Sequence, residues 1–172
     1  GRGQIDMQST YNPAELNWEG IDVLLECTGV HNSKEASIIH LENGAKKVLL
    51  SAPGKNVDKT VVYGVNHKEL RSDDLIVSNA SCTTNCLAPI AKVLNDAIGI
   101  ENVIMTTLHS YTGDQLTLDK KHSDLYCSLA TTMSIIPIFT GAQKTVSLVL
   151  PEFTVTFNGT AIRVPTTNVT CV

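Results

Sequence analysis

A cysteine framed by hydroxyl residues stands where an apolar run gives way to a helical pattern. Residues 78 to 86 read Ser-Asn-Ala-Ser-Cys-Thr-Thr-Asn-Cys, after the apolar run Leu75 to Ser78. Cys82 is thereby expected on the first turn of a helix, where unpaired backbone N–H groups and the helix dipole favour negative charge. The thiolate is the nucleophilic form of sulfur. The same N–H groups suit the oxyanion formed when it adds to a carbonyl, and Ser81, Thr83 and Thr84 add hydroxyl donors for a bound anion. Most free cysteines are small buried residues; the strand-to-helix position sets Cys82 apart. Cys86, one helical turn on, is expected to pack. The spacing is not that of a zinc pair and no partner cysteines follow, so no metal site is expected.

His109 is the expected partner of Cys82. It ends the run Val103 to Leu108 and leads through Ser110, Tyr111 and Thr112 to Asp114. Two strand ends of one site would make Cys82 and His109 a nucleophile–base pair. His31, His40, His67 and His122 read as surface or solvated residues.

The elements that must position this pair follow from periodicity. Ile21 to Cys27, Lys47 to Ser51, Val61 to Gly64 and Leu75 to Ser78 are short apolar runs typical of buried parallel strands. Between the first two, Ser33 is the expected N-cap of a helix reaching about Asn43, with Gly44 ending it. Strands alternating with a helix predict an α/β fold whose sheet is parallel, covered on both faces, with ligands at the strands' carboxyl ends. From Ser81, the residues Leu87, Ile90, Ala91, Leu94 and Ile98 mark one helical face, ended by Gly99. Pro89 predicts an irregular first turn. Residues 112 to 141 read as a long binding loop. Val146 to Leu150, Phe153 to Phe157 and Ala161 to Val164 read as antiparallel strands.

Composition narrows the classes of function. Hydrophobic residues make up 42% and charged residues 17% of the 172, so little of the chain reads as a disordered tail. The net charge is −4 and no stretch clusters lysine and arginine, which argues against nucleic acid. No apolar run is long enough for a membrane span and no secretory signal opens the sequence. The five cysteines show no disulfide framework and read as free thiols in a reducing cytoplasm. Both ends read as limits of a piece rather than of a protein.

These motifs resemble those of phosphorylating glyceraldehyde-3-phosphate dehydrogenases, closest to bacterial-type members. The resemblance is carried by residues 78 to 86 together with ECTG (26–29), SAPGK (51–55), VYGVNH (62–67), HSYTGDQ (109–115), SIIP (134–137) and RVPTTNV (163–169), in order along essentially the whole chain. It implies an internal fragment in two parts. Residues 1–80 would be the latter part of a Rossmann-type NAD-binding domain, and 81–172 the first part of an α+β catalytic domain. It implies Cys82 as nucleophile and His109 as general base in glycolysis. Thr28, Gly29 and Ser51 match positions lining the NAD site. Ser81, Thr83, Thr112, Asp114, Thr140, Gly141 and Arg163 match positions around the two sites that hold substrate phosphate and inorganic phosphate. The complete protein is expected to be a cytoplasmic homotetramer acting on glyceraldehyde 3-phosphate and inorganic phosphate.

The pattern is departed from in two ways. The Gly-rich fingerprint and the acidic residue that selects NAD over NADP are absent from the sequence, so the piece itself is expected to bind NAD poorly and to be inactive. Cys127 and Leu129 stand where the family usually carries arginines, one of which holds phosphate, and neither side chain supplies a bidentate cation. Ile138, Phe139, Gln143, Thr145, Ser147 and Val155 also depart, nearly all the changes lying after residue 126. The clustering reads as sequence error or a decayed copy, and less as a retuned substrate site. Two alternatives accompany the main expectation: an erythrose-4-phosphate dehydrogenase, against which Thr112 and Asp114 argue, and an inactive copy with an altered phosphate site.

Overall fold

The computed structural model describes residues 3, 5–113, 115–138, 141–153, 155–168 and 170–172, without the side chains of residues 142, 143 and 170. The chain is α/β and divides into two compact units, Gly1–Ser81 and Cys82–Val172.

The first unit is built on a four-stranded parallel sheet of β1 (Leu24–Glu26), β2 (Val48–Leu50), β3 (Lys59–Thr60) and β4 (Ile76–Ser78), in the order β1-β2-β4-β3. Helix α1 (Lys34–Glu42) starts at the expected cap, where the Ser33 hydroxyl accepts from the Ala36 N–H at 3.1 Å. It ends at Gly44, whose φ of +108° and close approach to the backbone of Glu19 leave no room for a Cβ. Leu24, Ala45, Val48, Leu50 and Ile76 form the core, with Trp18, Leu41 and Val57 packed against it.

Two expectations for this unit need correction. The second face of the sheet is covered unevenly: in the register row Leu25, Leu49 and Val77, Leu25 is 63% exposed and Val77 9%, while Leu24 and Glu26 turn to the buried face. The strand expected at Val61 to Gly64 lies instead at Lys59–Thr60. The Asn66 side chain takes over the backbone beyond it, accepting from Val62 N–H at 2.9 Å and donating to Thr60 O at 2.9 Å.

The second unit begins with α2 (Cys82–Ile98), which runs unbroken through Pro89 in place of the expected irregular first turn. The expected apolar face is also displaced. Thr84, Ala88 and Ala91 are buried, whereas Ile90, Leu94 and Ile98 are exposed. Small side chains let α2 lie close to α3 (Ala142–Val149), and the branched face is left outward. Cys86, expected to pack, is exposed.

The unit's sheet is mixed, in the order β6-β7-β5-β8, with β5 (Asn102–Ser110), β6 (Ile136–Ile138), β7 (Thr156–Val164) and β8 (Thr170–Cys171). The expected antiparallel strands are corrected here. β5 and β7 are parallel over their whole length, from Asn102 opposite Thr156 to Ser110 opposite Val164, and only β6 and β8 run antiparallel. The run Val146 to Leu150 is helical: Val146 and Val149, three apart, are buried while Leu148 is exposed. A short apolar run does not by itself separate strand from helix, and a parallel pair needs a crossover. Phe153 to Phe157 and Ala161 to Val164, expected as separate strands, meet in the single strand β7, which runs on through Asn158 and Gly159. The long loop contains β6 and a short 3₁₀ turn at Tyr126–Ser128.

Candidate active site

Cys82 is the first residue of α2 and is exposed, and its Sγ lies 3.2 Å from His109 Nε2. His109 is the penultimate residue of β5 and stands opposite Arg163 in the parallel register. In a parallel pair such neighbours point to the same face, which allows the second contact: Arg163 Nη1 lies 2.6 Å from His109 Nδ1. The same Nη1 donates to Ser110 O at 2.9 Å, and His109 Nδ1 is 2.7 Å from that carbonyl.

The two contacts at Nδ1 are alternatives. Arginine keeps its protons and can only donate; a carbonyl can only accept. When Nδ1 carries the proton it donates to Ser110 O, and Nε2 is free to take the thiol proton. When Nδ1 is bare it accepts from Arg163, and the ring presents Nε2–H to the sulfur or to an oxygen beside it. Either neutral tautomer thus has a partner at Nδ1, and the imidazolium formed when Nε2 takes the thiol proton keeps its Nδ1–H on Ser110 O. Arg163 Nε is buried with no hydrogen-bond partner among the described residues. A buried unpaired guanidinium N–H suits an anionic acceptor.

The structure brings Cys82, His109 and Arg163 together. Thr83 is buried, with Oγ1 4.0 Å from Cys82 Sγ, and Ser81 precedes the thiol directly and is half-buried. Gly141 caps α3, its carbonyl accepting from the Thr145 N–H and hydroxyl at 3.2 Å each. Thr112 is held by Gln115, whose buried Oε1 accepts from its N–H at 2.8 Å and its hydroxyl at 3.1 Å. Asp114, Phe139 and Thr140 lie outside the described residues. Cys127, half-buried in the 3₁₀ turn, and Leu129, 44% exposed, put no cation where the family resemblance expects two. Arg163 is the sole arginine of the sequence after residue 81.

Thr28, Gly29 and Ser51 belong to the first unit. The Thr28–Gly29 turn follows β1 after Cys27, with Gly29 at φ +75° and open space where a Cβ would stand. Asn32 Nδ2 donates to Gly29 O at 2.7 Å, while its Oδ1 is buried without a partner among the described residues. Ser51 follows β2 and its N–H donates to Glu26 O at 3.0 Å. A cavity of about 510 Å³ opens on Trp18, Glu26, Cys27, Thr28, Val30 and His40. His40, expected at the surface, is 3% exposed and faces Glu26. Burial pushes the Glu26 carboxyl up, but the Thr28 hydroxyl and N–H, and then His40, outweigh it and hold Glu26 below its ordinary 4.5.

Sequence reasoning missed Gln115, Glu26 and His40. The signal for Glu26 was present: a carboxylate inside an apolar strand run is buried only with partners. Among the described residues no cluster of three or more metal-ligating side chains occurs, and no helix is long and apolar enough to cross a membrane.

Fold and site define a class: an α/β chain bearing a helix-terminal thiol against an imidazole and an arginine. A family model described as glyceraldehyde 3-phosphate dehydrogenase, C-terminal domain, matches residues 81–172. Glyceraldehyde-3-phosphate dehydrogenase of Cereibacter sphaeroides is 59% identical over 172 residues, covering 100% of this chain and 52% of the relative. The enzyme of that name in Xanthobacter flavus is 58% identical over 174 residues, with 100% and 52% covered. That of Pseudomonas aeruginosa is 54% identical over 171 residues, with 98% and 51% covered. The chain belongs to the glyceraldehyde-3-phosphate dehydrogenase family, and spans about half the length of the relatives it matches.

Proposed function

We propose that the chain is the central part of a phosphorylating glyceraldehyde-3-phosphate dehydrogenase, which converts glyceraldehyde 3-phosphate and inorganic phosphate to 1,3-bisphosphoglycerate with NAD. The observation that carries this reading is the 3.2 Å approach of His109 Nε2 to Cys82 Sγ at the head of α2. Residues 1–80 act as the latter part of a Rossmann-type NAD-binding domain, and 81–172 as the first part of the catalytic domain. The parallel sheet with α1 between its first two strands supports the former. The complete enzyme is read as a cytoplasmic homotetramer of glycolysis.

The chemistry follows from the geometry. His109 takes the Cys82 proton at Nε2, and the thiolate adds to the aldehyde carbon to give a hemithioacetal on sulfur. The α2 N-terminus and Nε2–H stabilise the oxyanion, which then takes the Nε2 proton to become the hemithioacetal hydroxyl and leaves Nε2 free again. His109 then removes the hydroxyl proton as the carbon gives up hydride, leaving a Cys82 thioester. Phosphate attacks that carbonyl, the acyl group leaves as its phosphate, and the thiolate returns. Arg163, Ser81, Thr83, Thr112, Asp114, Thr140 and Gly141 are assigned to the two phosphate groups.

Thr28, Gly29 and Ser51 would hold NAD, which supplies the hydride acceptor. An open positive-φ turn after a parallel strand and the orphaned Asn32 Oδ1 fit a polar ligand there. The preference between NAD and NADP is assigned to parts of the relatives that this chain does not span.

The test is phosphate-dependent NAD reduction by the full-length protein, with trapping of the acyl group on sulfur by mass spectrometry. Cys82→Ser is expected to abolish both. Turnover that survives Cys82→Ser would end the reading. A second reading, an inactive copy that keeps the fold, is favoured by Cys127 and Leu129 alone; it predicts alkylation of Cys82 without turnover.

A further inference from the structure

One buried polar chain in the first unit serves neither the thiol chemistry nor the apolar core. Glu26 at the end of β1 and His40 on α1 are 4% and 3% exposed. Trp18 Nε1 donates to His40 Nδ1 at 3.3 Å. Indole has a donor and no acceptor, so Nδ1 holds the lone pair and the ring proton sits on Nε2. From there it is donated to Glu26 Oε2 at 3.1 Å. Glu26 Oε1 accepts from the Thr28 N–H at 2.7 Å and from the Thr28 hydroxyl, and Thr28 Oγ1 accepts from the Val30 N–H at 3.1 Å. Every bond from the indole to the turn therefore has a defined direction.

A buried carboxylate is a poor choice for packing, since an apolar side chain of similar size would fill the space without the desolvation cost. What the carboxylate does, and leucine would not, is bind Thr28 twice. The turn it grips contains Gly29 in a positive-φ conformation and borders the 510 Å³ cavity.

We propose that Glu26, oriented by His40 and Trp18, is a positioning residue that holds the Thr28–Gly29 turn in its ligand-receiving shape. It thereby sets affinity for the nicotinamide dinucleotide without entering the thiol chemistry. The proposal rests on Thr28 and Gly29 lining the cofactor site, as in the function proposed above.

The test uses the full-length protein, with NAD binding measured by calorimetry beside kcat and the KM for NAD. Glu26→Gln keeps the size and the acceptor for Thr28 but turns an amide N–H toward His40 Nε2–H. The ring cannot switch tautomer, because the Trp18 N–H occupies Nδ1. Loss of one charge-assisted bond is expected to raise Kd and KM for NAD about tenfold or more, with kcat at saturating NAD within about twofold. Trp18→Phe frees Nδ1 to take the proton, so Nε2 can accept from the new amide. The double variant Trp18→Phe/Glu26→Gln should return to within about threefold of Trp18→Phe alone, a coupling that independent packing losses do not give. Glu26→Asp provides a second arm that does not depend on the amide variant folding. It keeps the charge, cannot span both His40 and Thr28, and should raise KM for NAD at temperatures where the variant is as fully folded as wild type.

Wild-type protein that binds no NAD overturns the proposed function and this inference with it. Wild type that binds NAD, with additive losses in the double variant or an unchanged KM in Glu26→Asp, overturns the inference alone.

Discussion

Arg163→Met tests whether the arginine acts through His109 or only fills space. Nη1 makes two contacts, 2.6 Å to His109 Nδ1 and 2.9 Å to Ser110 O, while Nε is buried and unpartnered. Methionine keeps much of the length and removes the charge and all donors. The contact to Ser110 exists throughout the cycle. The contact to Nδ1 exists only while Nδ1 is bare, when Nε2–H faces sulfur or substrate oxygen. The imidazolium that donates to the oxyanion keeps Nδ1–H, so the loss acts through the neutral Nε2–H tautomer and through the anion that the buried guanidinium would face. A hydrogen bond from a charged donor is worth about 1.5–3 kcal/mol, and about 2 kcal/mol on the barrier corresponds to roughly thirtyfold in kcat/KM.

Stability should move little. The lost Ser110 bond, about 1.5–3 kcal/mol, is largely offset by removing a charged N–H that was buried without a partner, about 1–3 kcal/mol. The assay is steady-state kinetics of the full-length protein with phosphate varied, beside thermal melting. The expected result is a fall in kcat/KM of about tenfold to a hundredfold, a raised KM for phosphate and a nearly unchanged melting temperature. Arg163→Lys, which keeps the charge but not the fork, should recover only part of the loss. Activity within about threefold of wild type would refute the assignment. So would a large drop in melting temperature that accounts for the loss by itself.

Three further outcomes rest on other parts of the structure. Cys127→Arg/Leu129→Arg should tighten the KM for the phosphorylated aldehyde by about tenfold to a hundredfold, the worth of one charge-assisted contact; unchanged kinetics would show that neither position faces substrate. Burial pushes the Asp58 carboxyl up, but Lys34 and the N–H groups of Ile76 and Leu75 outweigh it and hold it below its ordinary 3.8. Its stabilisation is therefore full above pH about 4 and is lost as pH falls through the folded value, so acid melts of Asp58→Asn should flatten relative to wild type below that pH. Gly44→Ala should destabilise by about 1–3 kcal/mol in urea melts, because φ is +108° and the new Cβ would lie 2.9 Å from Glu19 N.

What could be read in the sequence was what local chemistry dictates. Ser33, Gly44 and Gly99 delimit their helices as capping rules require. The break between Leu75–Ser78 and Cys82 was marked by hydroxyl and small residues, and it puts the thiol on a first turn. What could not be read depended on neighbours distant in sequence. Whether Val146 to Leu150 is strand or helix is decided by α2, against which α3 packs, and not by its own five apolar letters. The outward face of Ile90, Leu94 and Ile98 likewise depends on what lies beside α2. His40 was misplaced because a lone histidine on a weakly patterned helix carries no sign of Glu26, which lies 14 residues away.

The departures from the family pattern and the thiol pair lie in different kinds of structure, and that difference bears on what the chain can still do. Cys82, His109 and Arg163 sit on α2, β5 and β7, and β5 and β7 are locked in a single register along their whole length. A slip of one residue there would turn His109 and Arg163 to opposite faces. Cys127 and Leu129 lie in the segment that leaves β5 and returns as β6, held by side-chain and turn bonds such as Asp119 to the Ala130 N–H at 2.8 Å. Such a segment can change its cations without disturbing the strands. The contact between the thiol and the imidazole is therefore independent of the residues proposed to anchor a substrate phosphate. An altered anchor would appear as weaker discrimination for the phosphorylated aldehyde, not as loss of the thiol chemistry.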